Sequence, residues 1–186
     1  AVAWQRSLLL PAVPPPTTAK PPEPAKPVAA DATVATYSGA LLSFQYPLFL
    51  EAVVSEDSAS GLSIGLKHKA REGGPNVTIS LRKPKDAQTN ATSAIAQRKQ
   101  ASVSAMMKGS ASVEISKLGP ISGAGYALIG VPDAKKGFPA VESIETAFAG
   151  SVGDRLLEVR LTAEQKYSKD MEAVWALLSE SIKPAE

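Results

Sequence analysis

The chain has 186 residues, a formal net charge of +2 and no cysteine, with 44% hydrophobic and 5% aromatic residues. Its lysines and arginines are too few and too dispersed, "KHKAR" and "RKPK" being the densest clusters, for the basic stripe with stacking aromatics that a nucleic-acid surface needs. The missing cysteines exclude disulfides, thiolate metal sites, a Cys nucleophile and a lipid anchor on cysteine.

The opening "AVAWQRSLLLPAV" is apolar but broken by Gln5, Arg6 and Ser7, and no run approaches the ~18 to 20 apolar residues of a membrane span. Two readings of it stand. Trp beside Arg, after an "AVA" like the end of a signal sequence, suits a chain leaving a membrane and would make residues 1–10 membrane-proximal; the other reading is a terminal peptide that docks on protein. With Ala rather than Met in first place, a processed chain or a start further upstream is expected.

"PAVPPPTTAKPPEPAKPVAAD", residues 11–31, holds 8 of the 15 prolines, which excludes a helix or a central strand. Such sequence extends as polyproline II at about 3.1 Å per residue, a reach of roughly 80 Å from Pro11 to Thr36. One domain offers too little surface for that length. Residues 1–36 are therefore expected to be an extended arm that straps other subunits of a larger assembly, with Trp4, Leu8, Leu9, Leu10, Pro14, Pro15, Pro16, Pro21 and Pro22 as its contact residues.

Residues 37–186 read as the folded domain, with about 150 residues to bury one core. "LLSFQYP" puts Leu42, Phe44 and Tyr46 on one parity and ends at Pro47, and "LFLEAVV" follows as a second strand. "GLSIGLKH" aligns Leu62, Ile64, Leu66 and His68; "EGGPN" is turn chemistry; "NVTISLR" alternates Val77, Ile79 and Leu81 with Thr78, Ser80 and Arg82. Residues 89–108 change to a helical pattern in which Ile95, Ser102, Val103, Met106 and Met107 make a weak apolar face. "SVEISKL", "GAGYALIG", "AVESIETAFAG" and "DRLLEVRL" are four further strands. Thr162-Ala-Glu-Gln165 reads as a capping box for a closing helix with the stripe Tyr167, Met171, Val174, Leu178 and Ile182, ended by Pro184. The order is ββββ-α-ββββ-α. The expected class is α+β, one antiparallel sheet flanked by two helices.

"FQYP" opening a hairpin, a mid-chain helix, a "GY" strand and "GDRLLEVRLT" leading into a helix ending "LLSESIK" together resemble the PsbP superfamily. The likeness spans roughly Tyr37 to Lys183 and leaves the arm outside. It implies a PsbP-like α/β/α sandwich without catalytic residues or cofactor. That fold is shared by the photosystem II extrinsic subunit, a Ran-binding nuclear-import factor and DcrB-type bacterial envelope proteins.

The remaining constellations are weak. His68 is the only histidine, flanked by Lys67 and Lys69, which disfavour a cation, and no nucleophile or paired carboxylate accompanies it in sequence; a structural or surface role is expected. Gly123-x-Gly125 is followed by a strand, not by the helix of a phosphate loop, so close backbone packing is expected instead. Glu51, Glu56 and Asp57 lie near one hairpin and Glu142 and Glu145 on opposite parities of one strand. "SEDSASG", residues 55–61, approaches a calcium loop but reads as a solvated turn. Asn76-Val-Thr78 and Asn90-Ala-Thr92 match the glycosylation sequon, a pattern short enough to arise by chance. Trp175 lies beside the last stripe, as a core-edge filler or a partner contact.

The leading expectation is a non-catalytic accessory subunit of a membrane-bound complex on the extracytoplasmic face, a photosynthetic complex being the most specific version the resemblance names. A small-ligand or lipid-binding envelope protein is the alternative, marked by an apolar internal cavity above the ~300 Å³ of ordinary ligand pockets. A cytoplasmic chaperone or adaptor is a third class, and an enzyme the last.

Overall fold

Alternating apolar residues build most of the fold, and the computed structural model describes residues 33–86, 88–105, 111–136 and 141–185. In chain order the elements are β1 (Val34–Ser38), β2 (Leu42–Pro47), β3 (Leu50–Asp57), β4 (Gly61–His68), β5 (Asn76–Arg82) and α1 (Ala91–Ala105). Then come β6 (Ala111–Leu118), β7 (Ile121–Gly130), β8 (Ser143–Val152), β9 (Arg155–Glu164), α2 (Ser168–Ser181) and β10 (Lys183–Pro184).

Seven strands form one antiparallel sheet in the order β3-β4-β5-β9-β8-β7-β6. Short turns make its hairpins, as at Gly153, whose φ of +60° lets Val152 and Arg155 face each other. The longest connection within this sheet, from β5 in mid-sheet to β6 at the far edge, carries α1 across β7, β8 and β9. Helix placement thus follows from strand order.

Each sheet face meets one helix. On one side Leu62, Ile64, Leu66, Val77, Ile79, Leu81, Phe148, Leu157, Val159 and Leu161 pack against Met171, Val174 and Leu178 of α2 and against Leu42 and Phe44 of β2. Fully burying one such side chain contributes about 1.5 to 3 kcal/mol, so this face dominates stability. On the other side Tyr126, Leu128, Ala147, Ala149 and Leu156 make a smaller cluster with Ile95, the one buried residue of α1.

The α+β class and the layering of a sheet between two helices agree with the sequence reading; several details differ. A strand expected only from Leu42 is preceded by β1, so the boundary placed between residues 36 and 37 falls inside a strand. β2 does not pair with β3 although two residues join them: β1, β2 and β10 form a separate three-stranded sheet. The connection at Leu48 and Phe49 redirects the chain, Leu48 N–H bonding to Thr33 O at 2.8 Å, and Leu42 and Phe44 bury themselves in the core beneath α2 instead of extending the large sheet.

The expected capping box is absent as well. Thr162 to Glu164 stay in β9, paired with Asn76 of β5 and with Ser143 to Glu145 of β8, and α2 begins only at Ser168 without a side-chain cap. Two flanking ladders outcompete one cap. The apolar stripe itself is as read: Met171, Val174, Leu178 and Ile182 are buried and Tyr167 is half-buried. Helix α2 ends at Ser181, before Pro184, which joins β10. On α1, Val103 is exposed rather than facing the sheet, while Met106 and Met107 lie outside the described residues.

Candidate functional site

Helix α1 is composed of small and polar residues, "ATSAIAQRKQASVSA", and so cannot seal the sheet beneath it. Its start is fixed by a reciprocal cap: Ser93 N–H donates to Asn90 Oδ1 at 3.0 Å, and Asn90 N–H donates to Ser93 Oγ at 3.0 Å. Just upstream, Asp86 Oδ1 accepts from the backbone N–H groups of Gln88 and Thr89. The helix is therefore pinned at its N-terminal end while its side chains leave space alongside the sheet.

That space is a cleft of about 950 Å³ between α1 and the β8–β9 hairpin. Leu156, Glu158, Arg160 and Thr162, alternate residues of β9, form its floor. Ser93, Ala94, Gln97, Arg98, Ala101, Ser102 and Ala105 line it from α1, and Lys85, Thr89, Pro132, Ser143, Ile144 and Glu145 complete it. A smaller cavity of about 270 Å³ shares Arg98, Glu158 and Arg160 and adds Thr78, Ser80 and Val159.

Glu145 is the fully buried charged residue of this cleft, only 4% exposed. Its Oε1 accepts from the Tyr126 hydroxyl at 2.5 Å and the Ser102 hydroxyl at 2.8 Å, and its Oε2 accepts from Arg160 Nη2 at 2.9 Å. Burial alone would push the Glu145 carboxyl up; the hydrogen bonds from Tyr126, Arg160 and Ser102, with the Arg160 charge, outweigh it and hold the carboxyl below its ordinary value. Burial, reinforced by the bond to Glu145, pushes the Tyr126 hydroxyl up to about 12. Three of the roughly four acceptor sites of this carboxylate are taken, one of them by Arg160 Nη2, which it holds in place. The Arg160 Nε is screened from solvent and has no acceptor, and Arg98 lies 3.8 Å from Glu158 on the same floor.

The residues singled out in the sequence fall elsewhere. His68 stacks on Phe49 with centroids 5.2 Å apart, and its Nδ1 accepts from the N–H groups of Ala70 and Arg71, each at 3.1 Å: it is a turn acceptor. A Cβ on Gly125 would stand 2.5 Å from Ala147 O, and one on Gly123 would overlap Ala149 O, so these glycines serve close packing. Glu51 is exposed, Glu56 pairs with Arg82 at 3.1 Å, and Asp57 Oδ1 accepts from Ala40 N–H at 2.9 Å. Instead of a calcium loop, the turn after Asp57 is clasped by Arg155, whose guanidinium donates to Ala59 O and Ser60 O at 2.6 Å each. Glu142 offers its backbone carbonyl to Gln165 N–H at 2.7 Å. Asn76 sits in a strand ladder, Asn90 caps α1, and Trp175 packs half-buried against the main core. Trp4, Leu8, Leu9, Leu10, Pro14, Pro15, Pro16, Pro21 and Pro22 lie outside the described residues. Among the described residues no group of three His, Asp or Glu could hold a metal ion, and no helix is long and apolar enough to cross a membrane.

Sequence reasoning noted Glu145 only as a scattered carboxylate and missed Ser102, Tyr126 and Arg160 as a group. A signal existed: a hairpin folded at Gly153 puts Glu145 opposite Thr162, with Arg160 one diagonal step away on the same face.

No family model matches the chain, and no curated protein matches it in sequence. Among solved structures it is similar to cyanobacterial PsbP (CyanoP) from Synechocystis sp. PCC 6803, at 12% identity and a TM-score of 0.47 over 86% of this chain and 97% of that one. It is also similar to LpqN, described as involved in cell envelope biogenesis of Mycobacterium tuberculosis, at 10% identity and a TM-score of 0.48 over 82% and 91%. A third likeness, at 13% identity and a TM-score of 0.46, is to a Bacteroides thetaiotaomicron VPI-5482 protein, over 83% of this chain and 48% of that one. The first of these carries the name of the family that the sequence resembles.

Proposed function

We propose that this chain is a non-catalytic binding protein of the extracytoplasmic kind, and that the cleft beneath α1 is where it takes a small or lipid-like molecule. The supporting observation is the cleft itself. At about 950 Å³ this open cleft lies within the ~300 to 1,000 Å³ of small-molecule sites. Its lining sets apolar Ala94, Ala101, Ala105, Pro132, Ile144 and Leu156 among eleven polar or charged residues, which suits a molecule with both polar and apolar parts. A thermal-shift panel of small amphiphiles tests it: binders should raise the melting temperature of the wild type and not of Ala101→Trp, which fills the cleft from an exposed helix position.

A second reading keeps the chain as an accessory subunit of a membrane-bound complex, with a photosynthetic complex as its most specific form. The proline-dense residues 11–31 favour it, because a stiff extended arm can link a capping domain to neighbouring subunits and raise its avidity. The PsbP resemblance of the sequence supports the same setting. The two readings are compatible, since a tethered domain can also hold a ligand.

A further inference from the structure

Resting on the cleft reading for its purpose, we propose that the C-terminal half of α1, Arg98 to Ala105, is a lid. It leaves the sheet about the seat of Ile95 while the strands stay folded, and gives a ligand access to the space over Tyr126. The two helices differ in what holds them. Helix α2 buries Met171, Val174 and Leu178 in the main core, whereas α1 buries Ile95 alone. The start of α1 is further fixed by the reciprocal cap of Asn90 and Ser93. From residue 96 to residue 105 no residue of the helix is fully buried.

What closes that half is polar. Lys99 pairs with Glu114, whose side chain is 76% exposed, so that contact is weak. Asp133 N–H donates to Ala105 O at 2.9 Å. The Ser102 hydroxyl donates to the buried Glu145 Oε1 at 2.8 Å and is the latch. Glu145 does not depend on it. Tyr126 and Arg160 reach the same carboxylate from β7 and β9, so their bonds survive when α1 leaves, and water replaces Ser102. Lys99 Nζ stands 6.0 Å from the Tyr126 ring centre and Ser102 Oγ 3.2 Å from its hydroxyl, so this ring is what the lid covers. Few buried apolar contacts and a few polar bonds mark a unit that opens before the rest of the fold.

Off the sheet, a helix this short is marginal in water, so its amides exchange when the lid opens. The test is native-state amide hydrogen exchange of the full chain, read residue by residue at several low urea concentrations. Amides of Lys99 to Ser102 should exchange roughly a hundredfold faster than those of β5 and β9, with almost no urea dependence because little surface is exposed. Those of α2 should follow the sheet. Ser102→Ala should speed the α1 amides roughly tenfold, and Ser102→Thr, which keeps the hydroxyl, should speed them less. An amphiphile that raises the melting temperature should slow the same amides. α1 amides that share the urea dependence of the sheet, or that do not respond to Ser102→Ala, overturn the lid. So does a bound amphiphile that leaves them unchanged. Local opening with no binder in the panel removes the cleft reading and leaves the hinged helix standing.

Discussion

Arg160 Nη2 reaches Glu145 Oε2 at 2.9 Å diagonally across the β8–β9 ladder, in which Glu145 itself faces Thr162 and Arg160 faces Ala147. The pair is asymmetric: the Glu145 side chain is 5% exposed and that of Arg160 43%. A buried ion pair of this kind is weak evidence for net stability, because desolvation offsets much of the attraction. Its consequence is orientation. Glu145, held by Tyr126 and Ser102 as well, fixes where the arginine stands at the cleft floor.

Acid should weaken the fold through this carboxylate. Its folded-state value is depressed below the ordinary 4.5, so its contribution is present above that pH and is lost as pH falls through the folded value. Wild type should therefore lose more stability than Glu145→Gln between pH 7 and pH 3, seen as converging urea midpoints. The exposed Asp86 and Asp154, also depressed, act equally in both proteins and cancel in the comparison. Parallel curves would mean that Glu145 titrates alike in the folded and unfolded chain, and a wild type that gains on Glu145→Gln as pH falls would mean that the folded carboxyl is raised instead.

Leu178 is fully buried in the middle of the α2 stripe, against the large sheet and β2. Leu178→Ala should cost about 2 to 5 kcal/mol in denaturant unfolding, as large-to-small changes in a packed core do. A loss well under 1 kcal/mol would contradict the placement of α2 on this face.

Gly125→Ala tests the close packing of β7 on β8. The added Cβ would stand 2.5 Å from Ala147 O and 3.1 Å from Phe148 Cα, backbone atoms that cannot swing aside. A loss of about 1 to 3 kcal/mol is expected, with α1-side binding retained. An unchanged unfolding midpoint would contradict this register.

How far the sequence revealed all this depends on which physical signal each element leaves. Strands buried on one face write a period of two, which is why β4, β5 and β9 were legible from Leu62, Val77 and Leu157 onward. β1, "VATYS", is exposed at Val34, Thr36 and Ser38 and pairs only with β2, so no run of apolar residues announces it after the proline-rich stretch. The capping box failed because local propensity at Thr162 yields to two flanking ladders. α1 was found by composition, but its face was misread at Val103, since a helix lying on alanines leaves almost no apolar periodicity. The cleft was illegible for the same reason: it is the room those alanines leave, and it takes the register of three strands to bring Tyr126, Glu145 and Arg160 together.

Truncation separates the arm from the domain. Removing residues 1–32 leaves β1 and the Thr33 carbonyl that accepts from Leu48 N–H, so the melting temperature should hold. Removing residues 1–36 deletes Val34, Ala35 and Thr36, the partners of Pro47, Tyr46 and Gln45, and should lower it by several degrees. Under the accessory reading, the shorter cut should also reduce retention on solubilised membranes by ~10² or more, the avidity lost with one of two linked sites. Equal retention would make the arm a passenger.

The claim that the cleft beneath α1 is the binding site is tested most directly by amide chemical-shift mapping of the full chain with the amphiphile panel. Perturbations should concentrate on Ala94, Gln97, Ala101 and Ser102 of α1 and on Glu145, Leu156, Glu158 and Arg160 of the β8–β9 hairpin, and should vanish in Ala101→Trp while its spectrum stays folded. Shifts centred on the α2 face or the exposed β3 edge at Val53 and Val54, or shifts that persist undiminished in Ala101→Trp, would contradict it.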